Sequence, residues 1–236
     1  MTAWQQRCFS FLFCGLLVFG SAIEAQAYVT LKHQGNETRW NQDIQWKLHP
    51  SGSDDVPFEE LFGALDAAFF AWSSVSCSDL EFSYGGTANK TQNGVIHISF
   101  RESNWDPSVG DAAAYTVSEK YWGSGNIKKS TIVFNGVDQI WTTVASATTY
   151  GAKTDIQGVA THEIGHALGL DHPYDREATM FFSGGSSELR SLEADDQRGV
   201  CYLYPEGTFE KGQACDSCSQ QDQCVSGVCL TFPWEQ

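Results

Sequence analysis

Residues 161–172 read Thr-His-Glu-Ile-Gly-His-Ala-Leu-Gly-Leu-Asp-His, and this stretch constrains the fold more than any other. Helical residues four apart lie one turn above each other, so His162 and His166 share a face where one metal ion can bind both. Glu163, the next residue round, can reach the water that such a metal carries. Gly169 tolerates a positive φ, so the helix can stop there and the chain can swing His172 back as a third nitrogen ligand. Three protein ligands leave a tetrahedral zinc one open position, which is the arrangement of a catalytic site rather than a structural one.

These residues resemble the signature of the metzincin clan of zinc endopeptidases, H-E-x-x-H-x-x-G-x-x-H followed by a Met-turn. Met180, eight residues after His172 within Ala178-Thr179-Met180, matches the methionine that lies beneath the metal. Residues 192–204 (LEADDQRGVCYLY) resemble the closing helix of the matrixin branch, and residues 132–135 (IVFN) resemble the strand before its zinc helix. The resemblance covers about residues 40–205. It implies an α+β zincin fold, with a twisted, mainly parallel sheet of about five strands and three helices. It also implies a zinc metalloendopeptidase that acts on an extended peptide or protein substrate. Residues 112–116 resemble the edge strand lining the family's cleft, which makes Ala113, Ala114 and Tyr115 the substrate-cleft candidates. An edge strand has unpaired backbone groups to which an extended peptide can add.

The chain also departs from its relatives. Matrixins hold a structural zinc with histidines near the edge strand, whereas none occurs here between His97 and His162, so a single zinc is expected. A cysteine-switch pro-segment is not expected, because no cysteine lies between Tyr28 and Ser76. Pro173 follows His172 where matrixins place serine, a serralysin-like feature, yet no Gly-rich calcium repeat follows. Serralysins and astacins place a tyrosine two residues after the Met-turn methionine; here Phe182 stands there and supplies neither ligand nor donor.

At 236 residues the chain can build one sizeable core plus a small appendage. A formal charge of −15 argues against nucleic acid and anionic membrane as partners, because both would be repelled. Calcium would suit so acidic a surface, but no EF-hand or other loop spacing identifies a site. Arg7 and the short apolar run at 9–20 read as a signal peptide, with cleavage expected after Ala27, and no later run suggests a membrane anchor. Export fits the cysteines. Cys8 and Cys14 leave with the leader and six remain. Cys215, Cys218, Cys224 and Cys229 crowd the tail, where two disulfides suit an exported protein better than a zinc site, with connectivity left open. Cys77 and Cys201 are left to pair with each other, tying the end of one helix to the end of another.

The expected organisation is a leader over 1–27, a peptidase domain over 28–205 and a disulfide-stapled tail over 206–236. Residues 28–41 read as polar and irregular. Residues 44–48, 80–84 and 95–100 read as strands, and Phe58, Leu61, Phe62, Leu65, Phe69 and Trp72 recur at helical spacing. Pro57 suits the first turn of that helix, with Asp54 and Asp55 at the positive end of its dipole. Thr154 and Gln157 read as a capping box that starts the zinc helix at Asp155, and Ser191 reads as the cap of the last helix. Residues 181–191 are expected to wall the pocket beyond the scissile bond. Trp105 and Trp122 fit either the cleft wall or plain core. His97 reads as an ordinary surface or half-buried residue of an alternating strand, and His33 and His49 as isolated. Asn36 and Asn89 open glycosylation sequons. The expected function is a secreted zinc endopeptidase with Glu163 as general base. The alternatives are a binding or matrix protein that retains the zinc fold, and a zinc hydrolase for non-peptide substrates.

Overall fold

The computed structural model describes residues 28–144, 153–182 and 188–205, together with the backbone of 222–225 and 228–231. The expected leader, Cys215, Cys218 and part of the loop at 181–191 lie outside the described residues. In chain order the elements begin with β1 (Val29–Thr30), β2 (Lys32–His33), β3 (Asn36–Glu37), β4 (Ile44–Leu48) and α1 (Phe58–Ser73). Next come β5 (Phe82–Thr87), β6 (Val95–Arg101), β7 (Ala114–Lys120), β8 (Ile127–Asn135), β9 (Trp141–Thr142) and β10 (Thr154–Asp155). Helix α2 (Ile156–Leu168), β11 (Leu170–Asp171) and α3 (Ala194–Leu203) complete the described domain, and β12 (Asp222–Val225) pairs with β13 (Val228–Thr231) beyond it. That hairpin sets Cys224 opposite Cys229 in backbone register.

The main sheet has the order β5-β4-β6-β8-β7. All its pairings are parallel except that between β7 and β8. With three α-helices beside it, the fold is α+β with a mainly parallel sheet, as expected. Helix α1 buries Leu61, Leu65, Phe69 and Trp72, and Trp46 of β4 stacks on Phe62 and Phe69. The apolar stripe therefore does what its 3.6-residue period predicts. Strand β6 is buried at Val95, Ile96, His97, Ile98 and Phe100, because this central parallel strand is covered on both faces over its first half, while Ser99 and Arg101 turn toward an open face. His97 is thus fully buried rather than half-buried, and its Nε2 bonds the Ala88 carbonyl at 2.8 Å.

Several local expectations are corrected by long-range pairing. Residues 28–41 are not irregular: β1 pairs with β11, β2 pairs with β3 as a hairpin, and Thr38 and Trp40 are buried. Two-residue strands have no periodicity to read. The strand expected at 80–84 runs instead over 82–87, through Gly85 and Gly86. The edge strand starts two residues later than expected and runs longer, so Ala113 precedes it. Pro57 is the N-cap of α1, and its first turn carries Glu59 and Glu60. Asp55 instead accepts from the Trp141 amide at 2.8 Å. Asp155, not Thr154, caps α2 by accepting from the Gly158 amide, while Thr154 pairs with β9. Glu193, not Ser191, caps α3. Trp122 is 92% exposed and belongs to no core. A disulfide joins Cys77, just beyond α1, to Cys201 in α3.

Candidate active site

Helix α2 is held from four sides, which orients everything it carries. Trp72 of α1 donates its indole N–H to the Thr161 carbonyl at 2.9 Å. Trp40 donates likewise to Ala167 at 2.8 Å, and the Tyr204 hydroxyl donates to Leu168 at 2.5 Å. At the other end, Arg190 makes a two-pronged ion pair with the fully buried Asp155, Nη2 to Oδ1 at 2.6 Å and Nε to Oδ2 at 2.7 Å. Gly169 then ends the helix at φ 108°, and a side chain there would collide with the Thr38 carbonyl. Only glycine meets both demands. The reversal leads straight into β11 and on to His172.

The three histidines converge. Their ligand atoms all lie within 4.8 Å of one another, with His172 Nε2 3.1 Å from His162 Nε2 and 3.0 Å from His166 Nε2. His162 Nδ1 bonds the Thr179 carbonyl at 2.7 Å, and His166 Nδ1 bonds the Leu170 carbonyl at 2.9 Å. A carbonyl can only accept, so both Nδ1 atoms carry the proton and both Nε2 lone pairs face inward. Lone pairs directed at one another are repulsive unless a cation lies between them. Nitrogens about 2.05 Å from an ion at tetrahedral angles are roughly 3.3 Å apart, close to the spacing here, so the donor set fits zinc. Burial, and the neighbouring rings, hold the His162 pKa down at about 3, and burial lowers that of His172. Both rings are therefore kept neutral, the form that binds metal.

The Met-turn lies against this helix through contacts that the linear motif does not reveal. A Cβ on Gly165 would overlap Met180 Sδ and lie 2.9 Å from Trp72 Cζ2, so glycine lets the methionine seat under the helix. Asp196 of α3 braces the turn by accepting from the amides of Thr179 (2.7 Å), Met180 (3.0 Å) and Glu193 (2.9 Å). Burial pushes its carboxyl pKa up, while those three N–H groups pull it down. Thr179 Oγ1 donates to the Ser191 carbonyl. Asp196 therefore holds the turn that holds His162, a role with no signature in the sequence beyond an acidic residue near a helix start.

Glu163 is buried and faces β7, where the Thr116 hydroxyl donates to its Oε2 at 2.6 Å. Burial raises its pKa, against the opposing pull of His166 and of Thr116. Ala114 and Tyr115 lie on the same edge strand, which among the described residues has β8 on one side and no strand on the other. Phe182 is 69% exposed with its ring 6.4 Å from that of His172. A separate open depression of about 690 Å³ lies on the far face of the sheet, beside His49, His97, Arg101 and Tyr115. It holds none of the converging histidines.

A mainly parallel five-stranded sheet, three helices and this histidine triad over a Met-turn define a metzincin-type catalytic domain. The matrixin family model, that of peptidase family M10, matches residues 38–205, and the chain belongs to the matrixin family. It is 44% identical over 152 residues to macrophage metalloelastase of Oryctolagus cuniculus, across 64% of this chain and 30% of that protein. Against matrix metalloproteinase-C of Caenorhabditis elegans it is 26% identical over 198 residues, across 80% of this chain and 33% of that protein. Matrix metalloproteinase-18 of Xenopus laevis is 24% identical over 168 residues, across 64% of this chain and 30% of that protein. The chain thus spans about a third of the length of these relatives.

Proposed function

We propose that the protein is a secreted zinc metalloendopeptidase with one catalytic zinc held by His162, His166 and His172. The convergence of three imidazoles, two of them locked by backbone carbonyls, carries this reading. Zinc, when bound, lowers the pKa of its water toward neutrality and polarises the scissile carbonyl. Glu163 takes a proton from the water whose oxygen bonds to the carbonyl carbon. It passes that proton to the departing amine as the C–N bond breaks. Strand β7 offers its free edge to an extended peptide, with Ala114 and Tyr115 at the pairing positions and Ala113 just before them. Phe182 provides no hydrogen bond to the developing oxyanion.

The leader over 1–27, the peptidase domain over 28–205 and the tail over 206–236 belong to the same reading. No helix among the described residues is long and apolar enough to cross a membrane. Cys215, Cys218, Cys224 and Cys229 staple the tail as a small cap. The alternative, a binding protein that merely keeps the zinc fold, has no support in the site, where ligands, general base and Met-turn are all intact.

Digestion of a peptide library, with and without a chelator, tests the proposal together with Glu163→Gln. The variant is expected to keep one zinc per chain and lose about 10²–10⁴-fold in kcat. Wild-type protein that cleaves equally well after metal removal would end the zinc reading.

A further inference from the structure

We infer that Thr116 is a positioning residue for Glu163, holding one carboxylate oxygen so that the other is presented to the cleft. The inference rests on the reading of Glu163 as general base and adds the group that aims it.

Thr116 lies on β7 opposite the buried Ile132 of β8, on the face of the sheet turned to α2. Its hydroxyl has a single hydrogen and two acceptors within reach, Glu163 Oε2 at 2.6 Å and the Glu163 carbonyl at 3.1 Å. The shorter distance is that of an O–H bond to a charged carboxylate, so the hydrogen goes to Oε2. Among the described residues no protein group bonds Oε1, and Oε1 is not among the sealed side-chain atoms without a partner. The two oxygens are therefore unequal. Oε2 is anchored and Oε1 is open.

A glutamate side chain has three rotatable bonds, and a general base must keep its oxygen within hydrogen-bond reach of the proton it takes. Burial limits the space around Glu163 but does not choose which oxygen points outward. The Thr116 hydroxyl chooses. It also joins the base to the strand on which the substrate backbone would pair, so strand β7 sets the place of peptide and base together. A small displacement of a catalytic group lowers the chemical step without changing how substrate binds.

The test compares Thr116→Val, which keeps the shape and removes the hydroxyl, with Thr116→Ser, which keeps the hydroxyl. Each is made in the full chain and in the Glu163→Gln background. Thr116→Val is expected to retain one zinc per chain and a melting temperature close to wild type. Its kcat should fall about tenfold to hundredfold with KM within about threefold. Thr116→Ser should restore kcat to within about threefold of wild type. In the Glu163→Gln background, Thr116→Val should change nothing further, because a positioning residue has no effect once its base is gone. Labelled with ¹³C at its carboxyl, Glu163 should also show a shifted signal in metal-free Thr116→Val. Should valine prevent folding, Thr116→Ala serves the same comparisons. A zinc-loaded variant without the hydroxyl whose kcat stays within twofold of wild type overturns the role of Thr116. An undiminished Glu163→Gln enzyme instead overturns the underlying assignment of the base.

Discussion

Replacing Arg190 by methionine isolates the ion pair that fastens the start of the zinc helix. Asp155 is fully buried, and Arg190 meets it with two hydrogen bonds of 2.6 and 2.7 Å while also donating to the Thr143 carbonyl at 2.8 Å. A pair of this kind adds little compared with a well-packed apolar pair, since the Asp155 carboxylate has left water and the Arg190 side chain is 23% exposed. Removing one partner is a different matter. In Arg190→Met the buried carboxylate loses the two bonds and the positive charge of the guanidinium, a change that costs about 3–5 kcal/mol. For a domain of this size that corresponds to a melting temperature lower by about 6–20 °C. Asp155→Asn in the same background removes the buried negative charge yet retains an oxygen to cap Gly158, and should recover at least about half of the loss. Urea unfolding followed by tryptophan fluorescence measures both, because Trp40, Trp46, Trp72 and Trp141 are all buried. The reasoning is refuted if Arg190→Met costs less than about 1 kcal/mol, or if the double variant is no more stable than the single one.

Other expectations follow from the same contacts. Gly165→Ala gains about 1 kcal/mol of helix propensity but drives a Cβ into the packed Met180, so a net loss of about 1–2 kcal/mol and weaker zinc binding are expected. Calorimetry and chelator competition would check this, and a stabilised variant with unchanged affinity would contradict it. Burial raises the phenol pKa of Tyr28 from 10.0 to about 12, and that of Tyr204 further still. The folded chain then holds phenol protons that the unfolded chain releases near pH 10, so stability is full below that pH and declines as it rises toward 12. Tyr204→Phe should unfold more easily at neutral pH, having lost its bonds to Trp40 and Leu168, and should show a shallower alkaline decline in pH-dependent melting. In acid the sign reverses. Because the pKa of His162 is held at about 3 and that of His172 is lowered, zinc and activity should persist below the ordinary histidine range near 6.5 before both are lost together. Parallel titrations of bound metal and kcat would check it, and metal loss centred at pH 6.5 or above would contradict it.

Much of the site was legible because its pattern is local. The offsets of His162, Glu163 and His166 follow from the helical repeat alone, and Gly169 announces both the end of α2 and the return of His172. The same period exposed the buried face of α1. Reading failed where a residue answers to something distant. His97 looked half-buried because alternation was assumed for a strand whose first half is covered on both faces. The caps of α2 and α3 were each misplaced because Thr154 and Ser191 look as suitable as Asp155 and Glu193 until the structure shows what each one bonds. Thr116 stands in the sequence only as the last residue of the 112–116 edge-strand stretch, although it meets Glu163 across 47 positions.

By itself, then, the order of residues determined the matrixin class and named the candidate ligands and base, since one helix and one glycine turn suffice to bring them near each other. The tertiary structure decided how firmly they are held: which carbonyls orient the rings, that Asp196 secures the Met-turn, that Thr116 anchors the base. Those partners come from other helices and strands. Their placement depends on the packing of the whole core, which no local period encodes.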